Sequence, residues 1–177
     1  MRSQWAHGRS VSSVAGTMTN NALISTTAKY FDDLELGQTW ETAARTITET
    51  DVVLFACWSG DNNPLHVNEE FAKTTPFGRR LFHGPAALAV AFGLEAGLGW
   101  KMGTAIAFLG INDWNMRAPV FIGDTIRVRE EITELRPSSS KPDRGVVRSR
   151  VQILNQRDEV CQDGDWLVLM SRNGDAA

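Results

Sequence analysis

Residues 85–100, PAALAVAFGLEAGLGW, leave this chain few choices of architecture. Ala, Val, Leu and Phe fall almost all round a helical projection, and Glu95 is the only charge. A helix apolar on every side has to be buried. Pro85 suits the first helical position. The many Ala and Gly keep the rod thin enough to lie close inside a curved sheet. Such a helix would be roughly 22–25 Å long at about 1.5 Å per residue.

The sheet comes mainly from the residues that follow. In DTIRVREEITEL, Ile126, Val128, Glu130 and Ile132 share one side, and Arg127, Arg129, Glu131 and Thr133 the other. In GVVRSRVQILNQ, Val147, Ser149, Val151 and Ile153 point inward. AIAFLGINDWNM and EVCQDGDWLVLMS also read as β, with Asp163-Gly164 marking a bulge or bend. Upstream, TWETAARTIT (Thr39 to Thr48) reads as a strand. Strands at short spacing joined by turns pair antiparallel. The expected class is α+β: a long central helix wrapped by an antiparallel sheet of about five strands. A chain of 177 residues is one domain by length and large enough to bury a core without staples.

Charge and cysteines narrow the function classes. The net charge of −3 speaks against nucleic acid as partner, so an anionic ligand would need a local basic cluster. Cys57 and Cys161 form no CxxC pair, which suits buried thiols in a reducing, cytoplasmic setting. Cys57, within LFACW, reads as a packed small hydrophobe rather than a nucleophile. The uncharged run from Gly84 to Leu94 is too short for the ~20 residues of a membrane span. Met1 to Phe31 holds no Asp or Glu and many Ser and Thr. Organelle leaders share that composition. Without an amphipathic stripe, residues 1–28 read better as a disordered tail. The domain then runs over 29–172, with a short tail at 173–177.

Chemistry concentrates in GDNNPLH, residues 60–66. Thr48 and Asp51 form a plausible capping box for a short helix with Val52, Val53, Phe55 and Ala56 on its apolar face. Gly60 ends that helix. In the loop that follows, Asn63 is biased away from the helical region by Pro64. Asn68 caps a second short helix over 69–74. If the loop folds back, Asp61 and His66 converge, and a carboxylate and an imidazole on one water make an acid–base pair. The bland reading is an ordinary polar turn with a structural histidine. Gly84 lies at the mouth of the buried helix, where unpaired N–H groups collect. Pro85 has no N–H, so the Gly84 amide would lead as an oxyanion donor, or the motif is merely a Gly-Pro helix start. His83 reads as a site residue or a hydrogen-bonded structural one. Asp61, His66 and His83 together would make a two-His, one-carboxylate metal face, but the spacing is not that of a known ligand pair, and no metal is expected. No GxSxG, P-loop or GxGxxG is present.

The chain resembles the MaoC-like dehydratases, the (R)-specific enoyl-CoA hydratase group with the hotdog fold. The resemblance runs from about Tyr30 to Arg172. YFDDLELGQTWE resembles the family's opening, and FACWSGDNNPLHVNEEFA followed by LFHG its hydratase motif. APVFIGDTIRV and RPSSSKPDRGVVRSRVQILNQ are similar to its single-domain members. The resemblance implies that Asp61 and His66 hold the catalytic water, that Gly84 supplies an oxyanion N–H, and that Asn63 helps order the site. It implies a homodimer with active sites at the subunit interface. Some hydratases carry a small polar residue where this chain has Phe92, which puts the shape of the acyl pocket, and so chain length, at issue.

The expected activity is hydration of a trans-2-enoyl-CoA to the (R)-3-hydroxyacyl-CoA, with no cofactor beyond the coenzyme A on the substrate. CoA is polyanionic, so a basic lip is needed; Arg79, Arg80, Lys141 and Arg144 are candidates against ordinary surface. The rivals are a thioesterase on the same fold and a non-catalytic acyl-CoA or carrier-protein binding module.

Overall fold

The computed structural model describes residues 27–174. The expected tail at 1–28 lies outside them except for its last two residues. After a short 3-10 helix at Phe31–Asp33, four α-helices and six strands follow in chain order: β1 (Thr39–Glu41), β2 (Arg45–Thr46), α1 (Glu49–Ser59), α2 (Pro64–Val67), α3 (Glu69–Lys73), α4 (Gly84–Ala96), β3 (Ala105–Met116), β4 (Thr125–Pro137), β5 (Arg144–Leu154) and β6 (Val160–Ser171). One antiparallel sheet runs β1-β4-β5-β6-β3, with β2 beside β4. It cradles α4, the arrangement that the resemblance implies.

The strand count is six rather than five because TWETAARTIT breaks in two. Thr42 sits at the break. Its hydroxyl accepts the Val128 N–H at 3.0 Å, and its own N–H donates to the Val128 carbonyl at 2.9 Å. A side chain thus takes one rung of the ladder, and the strand resumes only at Arg45. The alternation expected in β4 and β5 holds: Ile126, Val128, Glu130, Ile132, Val147, Ser149, Val151 and Ile153 are all buried. The irregularity expected at Asp163-Gly164 falls instead on the facing strand. The β5–β6 register runs unbroken there, while β3 carries an extra residue between Asn112 and Asn115. Gly164 makes room for it: a Cβ there would come within 2.9 Å of the Trp114 Cα.

Helix α4 has 13 residues and is about 20 Å long, shorter than expected, because the chain turns away through Gly97 and Gly99. It is also not buried all round. Ala86, Ala87, Ala91 and Glu95 face the sheet, while Ala89, Gly93 and Ala96 are exposed in the single chain. The sheet covers one side of the rod only. Edge strand β3 is open as well, with Ile106, Phe108, Leu109 and Met116 exposed. Among the described residues, no helix is long and apolar enough to cross a membrane. The buried-thiol expectation holds for Cys161, whose pKa burial pushes up to about 11. Cys57 is exposed, because α1 buries only Val52 and Ala56 and leaves the Val53, Leu54 and Trp58 side open. At the other end of the chain, packing continues to Asn173, whose backbone N–H donates to Asp32.

One charge cluster is built into the core. The Lys101 ammonium lies 3.0 Å from Glu95 and 2.8 Å from Glu130, the acid that β4 turns inward. One ammonium serves two carboxyls. Burial, with the Glu130 charge adding to it against the opposing pull of Lys101, raises the Glu95 pKa above its ordinary 4.5. A carboxyl whose pKa rises on folding contributes stability that is present below its unfolded pKa and lost as pH climbs through the folded value. Glu95→Gln should therefore flatten the fall in urea midpoint from about pH 4.5 upward. A variant that keeps the wild-type slope contradicts this account of the cluster.

Candidate active site

The site begins where α1 stops. The Thr48–Asp51 box that starts α1 is formed, with the Thr48 N–H 2.8 Å from the Asp51 carboxylate. Gly60 ends the helix in the left-handed region at φ 77°, a conformation only glycine adopts cheaply. Asp61 then folds the chain back by accepting the Asn63 N–H at 3.2 Å. Asn63 in turn accepts the Leu65 N–H at 3.0 Å, and Pro64 opens α2. His66 therefore sits on a helical turn and not in the loop that the sequence suggests. Asn68 caps α3 through the Phe71 N–H.

The Leu81–His83 segment is stitched to this turn. The Leu81 N–H donates to the Leu65 carbonyl at 3.3 Å. His66 Nδ1–H donates to the Leu81 carbonyl at 3.0 Å, and His83 Nε2–H to the Asp61 carbonyl at 3.1 Å. A carbonyl only accepts, so each named nitrogen carries the hydrogen, and in a neutral His66 ring the lone pair falls on Nε2. The two imidazoles stack with centroids 3.9 Å apart. Polar atoms of Asp61, His66 and His83 all lie within 4.8 Å of one another. One potential ligand atom comes from each, so the structure does bring together the three residues of the metal face weighed from the sequence. His83 is fully buried; burial, only partly offset by the Asp61 carbonyl, lowers its pKa and keeps the ring neutral.

Gly84, one residue on, opens α4. Its N–H has no intrahelical acceptor, and Pro85 offers none of its own. Its carbonyl accepts the Gln162 side-chain N–H at 3.0 Å, and Gln162 accepts the Trp114 indole N–H at 3.0 Å. Gln162 is buried and so fixes the start of the helix. A Cβ at Gly84 would sit 3.1 Å from Met116, tight enough to crowd the approach to the amide. His66, Gly84, Phe77, Met116, Arg117 and Gln162 share the wall of one pocket of about 350 Å³. Asp61 is exposed and does not line that pocket, though its carboxylate lies within 4.8 Å of a ring nitrogen of His66.

Other expected site residues lie elsewhere. His83 is packed behind His66 and does not line the pocket. Phe92 stacks flat on Trp166 at 4.2 Å and lines a separate cavity of about 360 Å³. Arg80 is spent within the fold: it grips Glu49 with two hydrogen bonds of 2.7 Å and Glu69 with one of 3.0 Å, tying α1 to α3. Arg144 pairs with Asp143 at the far end of β5. It faces Ser171, and Ser171 lies about 30 Å along β6 from Gln162 at about 3.3 Å per residue. Lys141, three residues earlier, is exposed at that same distant end. Arg79 remains near the pocket, stacked 3.9 Å over Phe121. The sequence reading missed Arg117, Gln162 and Met116. Arg117 stands directly before the APVFIGD loop with nothing to set it apart from the other arginines, and Gln162 looks like one more polar strand residue.

A family model described as MaoC like domain matches residues 33–153. The chain belongs to the MaoC-like family. It is 39% identical over 148 residues to a 3-hydroxybutyryl-CoA dehydratase of Methylorubrum extorquens, spanning 83% of this chain and 87% of that protein. Among solved structures, an (R)-hydratase from Aeromonas caviae involved in PHA biosynthesis is similar, with a TM-score of 0.63 and 32% identity over 76% of this chain and 96% of that one. A Mycobacterium tuberculosis protein with a double hotdog fold shares the fold alone, with a TM-score of 0.74 and 22% identity over 86% of this chain and 47% of that one. The MaoC-like chain is thus a hotdog domain, α4 being the filling.

Proposed function

We propose that this protein is a hydro-lyase that reversibly adds water to a trans-2-enoyl-CoA to give the (R)-3-hydroxyacyl-CoA. One observation carries the reading: a histidine anchored through Nδ1 and an unpaired helix-start amide share a pocket wall, with a carboxylate within 4.8 Å of that histidine. The names of the similar dehydratase and (R)-hydratases support it. A water held between Asp61 and His66 loses one proton to the pair as its oxygen bonds to C3. Charge moves to the thioester oxygen, where the Gly84 N–H stabilises it; one such donor is typically worth about 3 kcal/mol. The pair then returns a proton to C2, and the enolate collapses to the thioester. Both additions come from one side, so the addition is syn. Asn63 keeps the Asp61 turn folded. Water is added and nothing is oxidised, so the chemistry calls for no redox cofactor.

Arg79 near the pocket, and Arg117 on its wall with its Nε paired to Asp163 at 2.8 Å, suit the CoA phosphates better than the distant Lys141 and Arg144. Arg79 has no ion pair among the described residues. The Phe92–Trp166 stack bounds acyl length. Phe92 lies about 12 Å along α4 from Gly84 at about 1.5 Å per residue. Its cavity has no lining residue in common with the His66 pocket. The aromatic pair would therefore meet only an acyl chain long enough to run that distance along α4. The open side of α4 and the apolar edge of β3 fit a second copy of the chain, giving a homodimer.

Crotonyl-CoA should be hydrated with chelator present and without release of free thiol, by a species sedimenting at about twice 19.5 kDa. Asp61→Asn and His66→Gln should each lower kcat at least about 100-fold with the fold intact, the lower end of what a positioned acid or base contributes. Full rate in both variants, or thiol release by the wild type, contradicts the mechanism. Phe92→Ala should raise the turnover of octenoyl-CoA relative to crotonyl-CoA at least about tenfold, the discrimination a few buried methylenes can carry. An unchanged ratio removes the aromatic wall from the account.

A further inference from the structure

The largest feature of the site that the proposed reaction leaves without a task is His83. Its side chain is fully buried and off the pocket wall, yet it contacts each part of the catalytic set. Its ring stacks on His66 at 3.9 Å, with 30° between the planes. Its Nε2–H holds the Asp61 carbonyl at 3.1 Å. Its backbone is the N-cap of α4, directly before the Gly84 amide. Phe55 packs on its other side, with ring centroids 4.8 Å apart. It gives the helix no side-chain cap, and its Nδ1 is buried without a hydrogen-bond partner. A histidine kept only to cap a helix or fill space would not be placed that way.

We propose that His83 is a positioning residue that holds His66 and Asp61 in register with the Gly84 amide; this rests on the hydratase reading. Two restraints act together. The stack, with the hydrogen bond from His66 Nδ1 to the Leu81 carbonyl, fixes the plane in which His66 Nε2 points. The hydrogen bond to the Asp61 carbonyl fixes the root of the loop that carries the carboxylate. The residue does this as a neutral ring. A charged ring beside His66 would repel the proton that His66 has to carry during turnover, and burial keeps His83 from charging. The pocket wall does not include it, so substrate binding should hardly feel its loss.

The variants separate the restraints. His83→Phe keeps a ring face and loses the donor; His83→Gln keeps a donor and loses the ring. Each is purified as the full chain, checked for folding by melting, and assayed with crotonyl-CoA against active wild type. Nitrogen-15 spectra of the imidazoles give a readout independent of activity. The expected result is a 10- to 100-fold loss in kcat with KM within about twofold, the scale on which misplacement of a catalytic group acts. The His66 signals should also leave the single Nδ1–H form for mixed tautomers in the Gln variant. Wild-type kcat in both folded variants overturns the proposal. A raised KM at unchanged kcat also overturns it, because it makes His83 a binding residue. An inactive wild type with the same tautomer shift tells against the hydratase reading and leaves the positioning geometry standing.

Discussion

Two main-chain carbonyls, of Leu81 and Asp61, each take a hydrogen from an imidazole, and the site depends on that exchange. The segment before α4 offers one carbonyl and one histidine; the turn after α1 offers the other of each. Neither piece is ordered by its own sequence to this degree. Removing either donor leaves a carbonyl without its partner, which costs about 1–3 kcal/mol where the group is buried. The geometry of Asp61, His66 and the helix-start amide is therefore set once, by the docking of two short segments.

Helix α4 makes the docking possible. Its Ala-rich face lies against the inner side of the sheet, and Gln162 from β6 pins its first carbonyl. The chain reaches the pocket end through Leu81–His83, so packing the core also delivers Gly84 to the wall that His66 shares. Core packing and the geometry of the proposed site are one structural event here. The bulge in β3 belongs to it as well: Gly164 lets Trp114 come close, and Trp114 holds Gln162.

Much of this was legible in the residues. Period-two alternation told the inner face of β4 and β5 correctly, including Glu130, because burial and pleat are local properties. The Thr48–Asp51 box and the Gly60 stop were legible because capping is chemistry within a single turn. His66 was recognised as a candidate, but its place on α2 was not, since four residues of helix carry no period. Strand order, the open side of α4 and the fates of the arginines were beyond reach. Arg80 could not be told from Arg117 by residue type. Arg80 is paired with Glu49 and Glu69, and Arg117 with Asp163, partners that come from other segments; Arg117 alone of the two stands on the pocket wall. The burial of α4 was overestimated because an all-round apolar helix does not say whether sheet or a second chain covers each side.

The central claim is that one pair of side chains, on one side of the double bond, handles both the water and the proton. Stereochemistry at C2 reports it most directly. Crotonyl-CoA would be hydrated in deuterium oxide and the configuration of the product read at C2 and C3. The account predicts a single deuterium at C2, delivered to the same face as the hydroxyl at C3, with R configuration at C3. Deuterium on the opposite face, or on both faces equally, would mean that the proton comes from a group other than Asp61 and His66, and would contradict it.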